Sequence, residues 1–538
     1  MASGDRVSNL PDDLRRRILY FAPAKEAVST TALARRWRTT WLSSGALNIE
    51  SRYAFTGCFY DRERDDLWRY TMAALHCRLP ALRKLTFRLE LEATRPVAVC
   101  TLLRRRQDGS KSDHHLLDDL LAHPSVRCVE EIRVGVHDSA AAEDRGVCEL
   151  RIGSLPSEAL RDLQVTSFCC SAPGPGRAAV LAFPLLATLR LHSCAVSVED
   201  LQGMFDAAPQ LATLHLDSVF FRHDGPRARL RCPAVTALVM ADCGWELENG
   251  NENTGVELDA PALRRFRYKG LVRRFSLVSP APDLMWVDLH LGARDDRYQQ
   301  LFWQFVYNFS NTKALNLRME FYLEDIAITG DKISYVELLG NNKKLFSNLE
   351  HLELGAPCKR GCEATGVAIA NFLHCSPAIR VLRLNLSTVG GGHQSEYVFR
   401  QPFLRNKYQQ DFGKSVDCFL HRRFKTMMNS SNDDVNEVSG IPGLSGHSFN
   451  CLQSSLRSLS LQFRHSSLEF RMEKANCFEV RLAKFFAENC IVLEEMKIDN
   501  GNQKLHEHIN HKVGTWVANS SKRRNWPSTT VAVVPLER

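Results

Sequence analysis

At 538 residues the chain is too long for one simple hydrophobic core, so several units or one elongated repeat array are expected. Its 44% hydrophobic and 24% charged residues are ordinary for a folded globular protein, and a formal net charge of +8 is too mild at this length to argue for nucleic acid. The 17 cysteines are odd in number and scattered, no apolar leader follows Met1, and no run reaches the ~18 apolar residues of a membrane helix. A reduced, intracellular protein of the cytoplasm or nucleus is expected, with no membrane partner.

The stretch Asp5 to Trp41 reads as small helices. Ser8 and Asn9 are N-cap candidates, Pro11 suits the first helical turn, and Asp12 and Asp13 sit where the helix dipole favours negative charge. Leu14, Ile18 and Phe21 recur at helical spacing until Ala22-Pro23 stops the helix. Leu33, Trp37 and Trp41 lie four residues apart on one face of a later helix, with Arg35, Arg36 and Arg38 on the others. About 40 residues make a thin core that needs outside support, which a partner protein would supply.

From about residue 80 one phrase recurs: an apolar residue, two others, an apolar residue, one other, an apolar residue. It runs from Leu82/Leu85/Phe87 and Val129/Ile132/Val134 through Leu186/Leu189/Leu191, Leu263/Phe266/Tyr268 and Leu284/Val287/Leu289 to Leu493/Met496/Ile498. A weaker copy, Leu315/Leu317, has Thr312 in the first slot. The last two positions carry the period of a strand. About a dozen copies, mostly roughly 21 to 47 residues apart, predict an α/β leucine-rich-repeat solenoid: a parallel sheet of short strands backed by return helices. Return helices are read at Val198–Ala208, Tyr298–Phe309 and Gly366–His374.

The expected organisation is a helical domain over 1–45, a helical linker over 46–79, the solenoid over 80–452 and a final segment over 453–538. The solenoid is interrupted at about 387–452 by a Gly-, Ser- and Asn-rich stretch read as a mobile insertion with one helix near Val416 to Met428.

No phosphate loop or nucleophile elbow occurs, so no catalytic residue is assigned and the chain is read as a non-enzyme. Cys358, Cys362 and the cluster His506, His508, His511 lack the paired arithmetic of a zinc site, so no metal or cofactor is expected. On the open face of the sheet, Arg265, Arg267 and Lys269 share one side of a strand and Trp286 projects from the next. Such a patch suits an acidic or phosphorylated segment, because Arg forks match carboxylate and phosphate oxygens. A solvated face is the bland alternative.

Residues 5–41 resemble an F-box of the plant F-box/leucine-rich-repeat type. The matching positions are Asp5 through Leu14, Ile18-Leu19, Phe21, Pro23, Ala27-Val28, Thr30, Leu33, Arg35-Arg36-Trp37-Arg38 and Trp41. Ala22 stands where the family usually has Leu, and Arg15 where it often has Leu. The C-terminal stretch Glu479 to Ile498, with Trp516 and Pro527 beyond, resembles the FBD segment that often ends these proteins, and is expected to cap the sheet. The resemblance implies docking on a Skp-type adaptor, and through it a cullin, by Leu10, Pro11, Leu14, Ile18, Leu19, Val28, Leu33, Trp37 and Trp41. The implied function is that of a substrate-receptor subunit of a Skp–cullin–F-box ubiquitin ligase, whose repeats hold a target protein. The alternatives are a non-degradative scaffold or inhibitor built on the same solenoid, and a nucleic-acid binder using Arg264 to Arg274.

Overall fold

The computed structural model describes residues 10–30, 35–55, 61–76, 82–93, 102–106, 113–138, 148–171, 182–223, 227–246, 255–293, 298–328, 346–359, 364–388, 440–465, 478–499, 516 and 532–533. Ser8, Asn9, Leu33, Cys362, His506, His508, His511, Pro527 and the helix read near Val416 to Met428 lie outside them. The chain divides into two compact units: residues 1–264 with 275–281, and residues 265–274 with 282–538. No helix among the described residues is long and apolar enough to cross a membrane.

The first unit opens with α1 (Asp12–Phe21), α2 (Ala24–Thr30) and α3 (Arg35–Leu42). Pro11 takes the N-cap position rather than the first turn, and Arg15 N donates to its carbonyl at 3.1 Å. Ala22 leaves the helix in extended backbone, as a residue before proline must. A parallel sheet follows: β1 (Ala46–Phe55), β2 (Lys84–Ala93), β3 (Glu131–Asp138), β4 (Asp162–Thr166), β5 (Thr188–His192), β6 (Thr213–Asp217) and β7 (Ala237–Ala241), each paired with the next. The helices α4 (Asp61–His76), α5 (Leu116–Ala122) and α6 (Val198–Ala207) lie between strands in the chain. Ser197 caps α6, its hydroxyl accepting from Asp200 N at 2.9 Å.

The second unit continues the pattern with β8 (Arg265–Leu271), β9 (Trp286–Gly292), β10 (Ala314–Met319), β11 (His351–Cys358), β12 (Val381–Thr388), β13 (Ser458–His465), β14 (Glu495–Asp499) and β15 (Ala532–Val533), again parallel and sequential. Its helices are α7 (Tyr298–Tyr307), α8 (Ala364–Cys375), α9 (Asn450–Ser454) and α10 (Phe478–Asn489). Aromatic rings fill the space between sheet and helices: Phe266 lies 5.0 Å from Phe309, Tyr268 5.0 Å from Phe305, and Trp303 5.0 Å from Phe372. The Trp303 indole N–H finds the carbonyl of Ile326 at 3.1 Å, so its polar edge is not orphaned.

The recurring phrase is the interior of this architecture. In all twelve full copies none of the three apolar residues is more than 5% exposed. In the weak copy Thr312 is fully buried, and its hydroxyl donates to Ala314 O at 3.0 Å. The return helices read at Val198, Tyr298 and Gly366 are α6, α7 and α8.

Three expectations are corrected. The helical linker over 46–79 begins with a strand, since β1 pairs with β2 along its whole length and only 61–76 is helix. Second, most return segments between 148 and 277 are not helices. They are short strands forming two further parallel sheets, one of Cys148–Arg151, Phe168–Ser171, Ala195–Ser197, Phe220–Arg222 and Gly244–Glu246, the other of Arg227–Arg231, Gly255–Asp259 and Phe275–Leu277. The chain reaches the first of these through a repeated left-handed corner. Ser167, Ser193, Ser218 and Asp242 follow β4 to β7 with φ of 62°, 51°, 55° and 49°. The N–H groups of Ser167, Ser193 and Ser218 donate to His192, Asp217 and Ala241 carbonyls at 2.9, 2.8 and 2.7 Å, so each corner is tied to the next strand. Third, the insertion does not extend to 452. Ser387 and Thr388 belong to β12, and Ile441, Leu444, Phe449, Cys451 and Leu452 are buried.

Candidate functional site

Two surfaces carry groups that the interior does not use. The first is on α1 and α2. Helical spacing brings Leu14, Ile18 and Phe21 together, and they remain 48%, 49% and 63% exposed, with Val28 41% exposed on α2. Leu10 is half-buried and Pro11 exposed at the start of the same helix. Leu19, Trp37 and Trp41 are placed differently from the sequence reading: all three are buried within the unit and support the exposed face from behind. Arg15 is buried with them. Its guanidinium lies 5.7 Å from the Trp37 ring, its Nε donates to Leu10 O at 2.8 Å, and Asp12 Oδ1 stands 3.4 Å from Nη2. Arg15 is therefore accommodated in this buried place by lying over the Trp37 indole and satisfying its donors locally. Ala22 is similarly accommodated. Its carbonyl and that of Tyr20 accept from the buried Asn48 Nδ2 at 3.0 and 2.9 Å, which fastens the end of α1 to β1.

The second surface is the open face of the sheet in the second unit. Strict alternation buries Phe266, Tyr268, Val287 and Leu289 and leaves Arg265, Arg267 and Lys269 exposed on β8. The register sets Arg265 beside Trp286, Arg267 beside Asp288 and Lys269 beside His290. The four sequence-predicted residues thus share one face of two neighbouring strands. They are not equivalent. Arg267 Nε donates to Asp288 Oδ2 at 2.9 Å and its guanidinium carbon is 5.5 Å from the Trp286 ring, so its charge is already matched. His290 Nε2 lies 3.1 Å from Glu320. Arg265 and, two strands away, Arg318 are exposed and make no ion pair among the described residues.

Beside this face lies a hollow of about 230 Å³ that the sequence reading missed. Trp286, Ala314, Asn316, His351, Glu353, Val381 and Arg383 line it, with Leu315 and Leu352 below. Glu353 stands 3.7 Å from Arg383 and accepts from Asn385 Nδ2 at 3.0 Å. Asn316 Oδ1 is buried and has no hydrogen-bond partner among the described residues. The signal for this hollow is present in the sequence as outward positions of the alternation. Seeing it requires knowing that β10 pairs directly with β11 although 31 residues separate them in the chain.

Among the described residues no group of His, Cys, Asp and Glu side chains is arranged to hold a metal ion. Cys358 is a buried thiol.

Residues 117–284 match a family model described as "FBD-associated F-box protein At5g56370, LRR repeats". The chain is similar to several Arabidopsis thaliana proteins over short stretches. It is 51% identical to the F-box/FBD/LRR-repeat protein At5g22700 over 47 residues, 9% of this chain and 11% of that protein. It is 48% identical to the putative FBD-associated F-box protein At3g12840 over 46 residues, 9% of this chain and 25% of that protein. It is 41% identical to the FBD-associated F-box protein At4g10400 over 64 residues, 11% of this chain and 16% of that protein. The matched stretches thus cover a quarter or less of each of these relatives. The repeat stretch 117–284 is thus similar to the repeats of FBD-associated F-box proteins, and short stretches of the chain are similar to F-box/FBD/LRR-repeat proteins of Arabidopsis thaliana.

Proposed function

We propose that the protein is the substrate-receptor subunit of a Skp–cullin–F-box ubiquitin ligase. Its N-terminal helices dock on a Skp-type adaptor, and its repeats hold a target protein. It makes and breaks no bonds itself. Its contribution is proximity: a tethered target meets the ubiquitin-charged enzyme as an effectively unimolecular partner. Such a subunit acts inside the cell, in cytoplasm or nucleus.

The observation that carries the docking half is the exposed stripe of Leu14, Ile18 and Phe21 with Val28, large apolar side chains left in water by helices that bury Trp37 and Trp41. Full burial of such a side chain is worth about 1.5–3 kcal/mol, and covering the part still exposed here contributes about half of that, before the cost of association is subtracted. The target half rests on the open face of β8 and β9, with Arg265, Arg267, Lys269 and Trp286.

The test has two steps. Replacing Leu14 and Ile18 by Asp should abolish co-purification with the adaptor while both units stay folded. Ubiquitin transfer to captured targets should then fall to background. Unchanged adaptor capture refutes the docking face. Adaptor capture without ubiquitin transfer to any bound protein favours a scaffold.

A further inference from the structure

The register of the second unit sets Trp286, Ala314, His351 and Val381 in one row across β9 to β12, and all four line the hollow of about 230 Å³. That volume lies below the roughly 300–1,000 Å³ typical of small-molecule sites and suits a single side chain. Alanine is the smallest residue of the row, so the hollow is a notch over Ala314 with an indole on one neighbouring strand and an imidazole on the other. Trp286 and His351 stand two strand spacings apart, about 9–10 Å. Apolar atoms pack best at about 3.5–4.0 Å, so a flat ring laid between them would fill only about 7–8 Å of that span. A branched aliphatic side chain is thicker and meets both walls. The next row asks for no polar partner. Glu353 already accepts from Asn385 Nδ2 at 3.0 Å and stands 3.7 Å from Arg383, and Asn316 Oδ1 is buried out of an occupant's reach. A polar tip would lose its water without replacement, which selects an apolar occupant.

The rim sets the charge of the segment that carries it. On this face Asp288, Glu320 and Glu353 each have a basic side chain beside them. Arg265 neighbours Trp286 in register, and Arg318 lies two residues beyond Asn316 on the same side of β10. Both are exposed and make no ion pair among the described residues, so the unmatched charge around the notch is positive.

We infer that the notch over Ala314 is the anchor subsite of the target-binding face and takes a branched aliphatic side chain, leucine or isoleucine, carried on an acidic segment of the target. The side chain lies between Trp286 and His351, and flanking carboxylates face Arg265 and Arg318. This deepens the receptor reading and rests on it only for the source of the segment, since the binding itself needs neither adaptor nor cullin.

The experiment uses the full chain and fluorescein-labelled nonapeptides read by anisotropy. The reference peptide has a central leucine flanked by glutamates; the comparisons carry alanine or phenylalanine at the centre, or lysines in the flanks. Saturable binding of the reference peptide is expected, with the alanine and lysine peptides at least about tenfold weaker and the phenylalanine peptide about threefold weaker. Ala314→Phe, which fills the notch from an outward-facing position, should bring the leucine peptide down to the affinity of the alanine peptide while adaptor capture is kept. No saturable binding up to about 1 mM, equal affinity for the leucine and alanine peptides, or equal affinity for glutamate and lysine flanks overturns the inference without any variant. Phenylalanine binding as tightly as leucine overturns the choice of occupant. Leucine-peptide binding that survives Ala314→Phe in a folded chain places the anchor elsewhere and overturns the site. Failure of ubiquitin transfer with peptide binding intact would count against the ligase reading and leave the subsite standing.

Discussion

Asn48 holds the end of α1 to the first strand with a single amide. Its Nδ2 serves the carbonyls of both Tyr20 and Ala22, and the residue is buried. Replacing it with Leu keeps the branched heavy-atom shape and removes both N–H donors, leaving two partly buried carbonyls unpaired. The expected cost is about 1–3 kcal/mol, read as a lower denaturation midpoint with unchanged slope. Adaptor binding should weaken in parallel, because Leu14, Ile18 and Phe21 are presented by that helix. The left-handed corners give a second residue-scale test. Ser193 adopts φ 51°, a conformation that a branched side chain tolerates poorly. Ser193→Val should destabilise by about 1–2 kcal/mol, and Ser193→Gly by much less. Equal effects of the two substitutions would show that backbone conformation is not what serine supplies there.

At the scale of elements, the segment after the insertion behaves as part of the interior. A Cβ on Gly366 of α8 would collide with the Ile441 side chain and the Pro442 carbonyl, and Gly443, at φ +81°, sits against Val367. Gly366→Ala should therefore cost about 1–3 kcal/mol, although alanine is the better helix former. Deleting 391–436 should leave cooperative unfolding intact, whereas a deletion carried through 452 should abolish it. His374 reports on the same contact. Its ring lies 5.7 Å from His447 and 4.5 Å from Phe449, and burial, then His447, lowers its pKa. The folded state thus resists a proton that the unfolded chain takes up near pH 6.5, so stability is full above that pH and falls as pH drops through it toward the depressed folded value. The melting temperature should decline between pH 7.5 and 5.5, and less steeply in His374→Gln. A residual slope is expected, because burial also lowers the pKa of His115, His123 and His137. The elements were unevenly legible. The strands of the recurring phrase were readable because the same three apolar positions return in about a dozen copies along the chain. β1 was hidden because Ser44 stands in the first slot before Leu47 and Ile49. The second and third sheets were hidden because strands of three to five residues are too short to show a period.

At the scale of the molecule, the net charge of +8 is less informative than where charges remain unmatched. The open face of the first unit largely neutralises itself across strands. Arg190 grips both oxygens of Asp162 at 2.7 Å, Lys84 lies 3.5 Å from Glu131, and His192 stands 3.1 Å from Asp217; within β3, Arg133 also lies 2.6 Å from Glu131. On the second unit Arg267 is matched in the same way, but Arg265 and Arg318 are not, among the described residues. The sequence made the basic strand visible and set Asp288 outward on the next strand, but the pairing of Arg267 with Asp288, 21 residues away, is fixed by the β8–β9 register. The two proposed interfaces therefore differ in kind: the helical face is apolar, whereas the sheet face combines an aromatic anchor with exposed cations. Salt should separate them. The screening length shrinks from about 10 Å at 0.1 M to about 3 Å at 1 M, which weakens exposed charge pairs and spares apolar contact. Raising salt across that range should cut target capture several-fold and leave adaptor capture within about twofold. Arg265→Ser with Arg318→Ser should lower capture at low salt and remove most of its salt dependence, since the screened charges are then absent. The measurement is a paired pull-down of adaptor and target at each ionic strength. Target capture that is indifferent to salt in the unmodified protein would mean that the cations on β8 and β10 only face solvent.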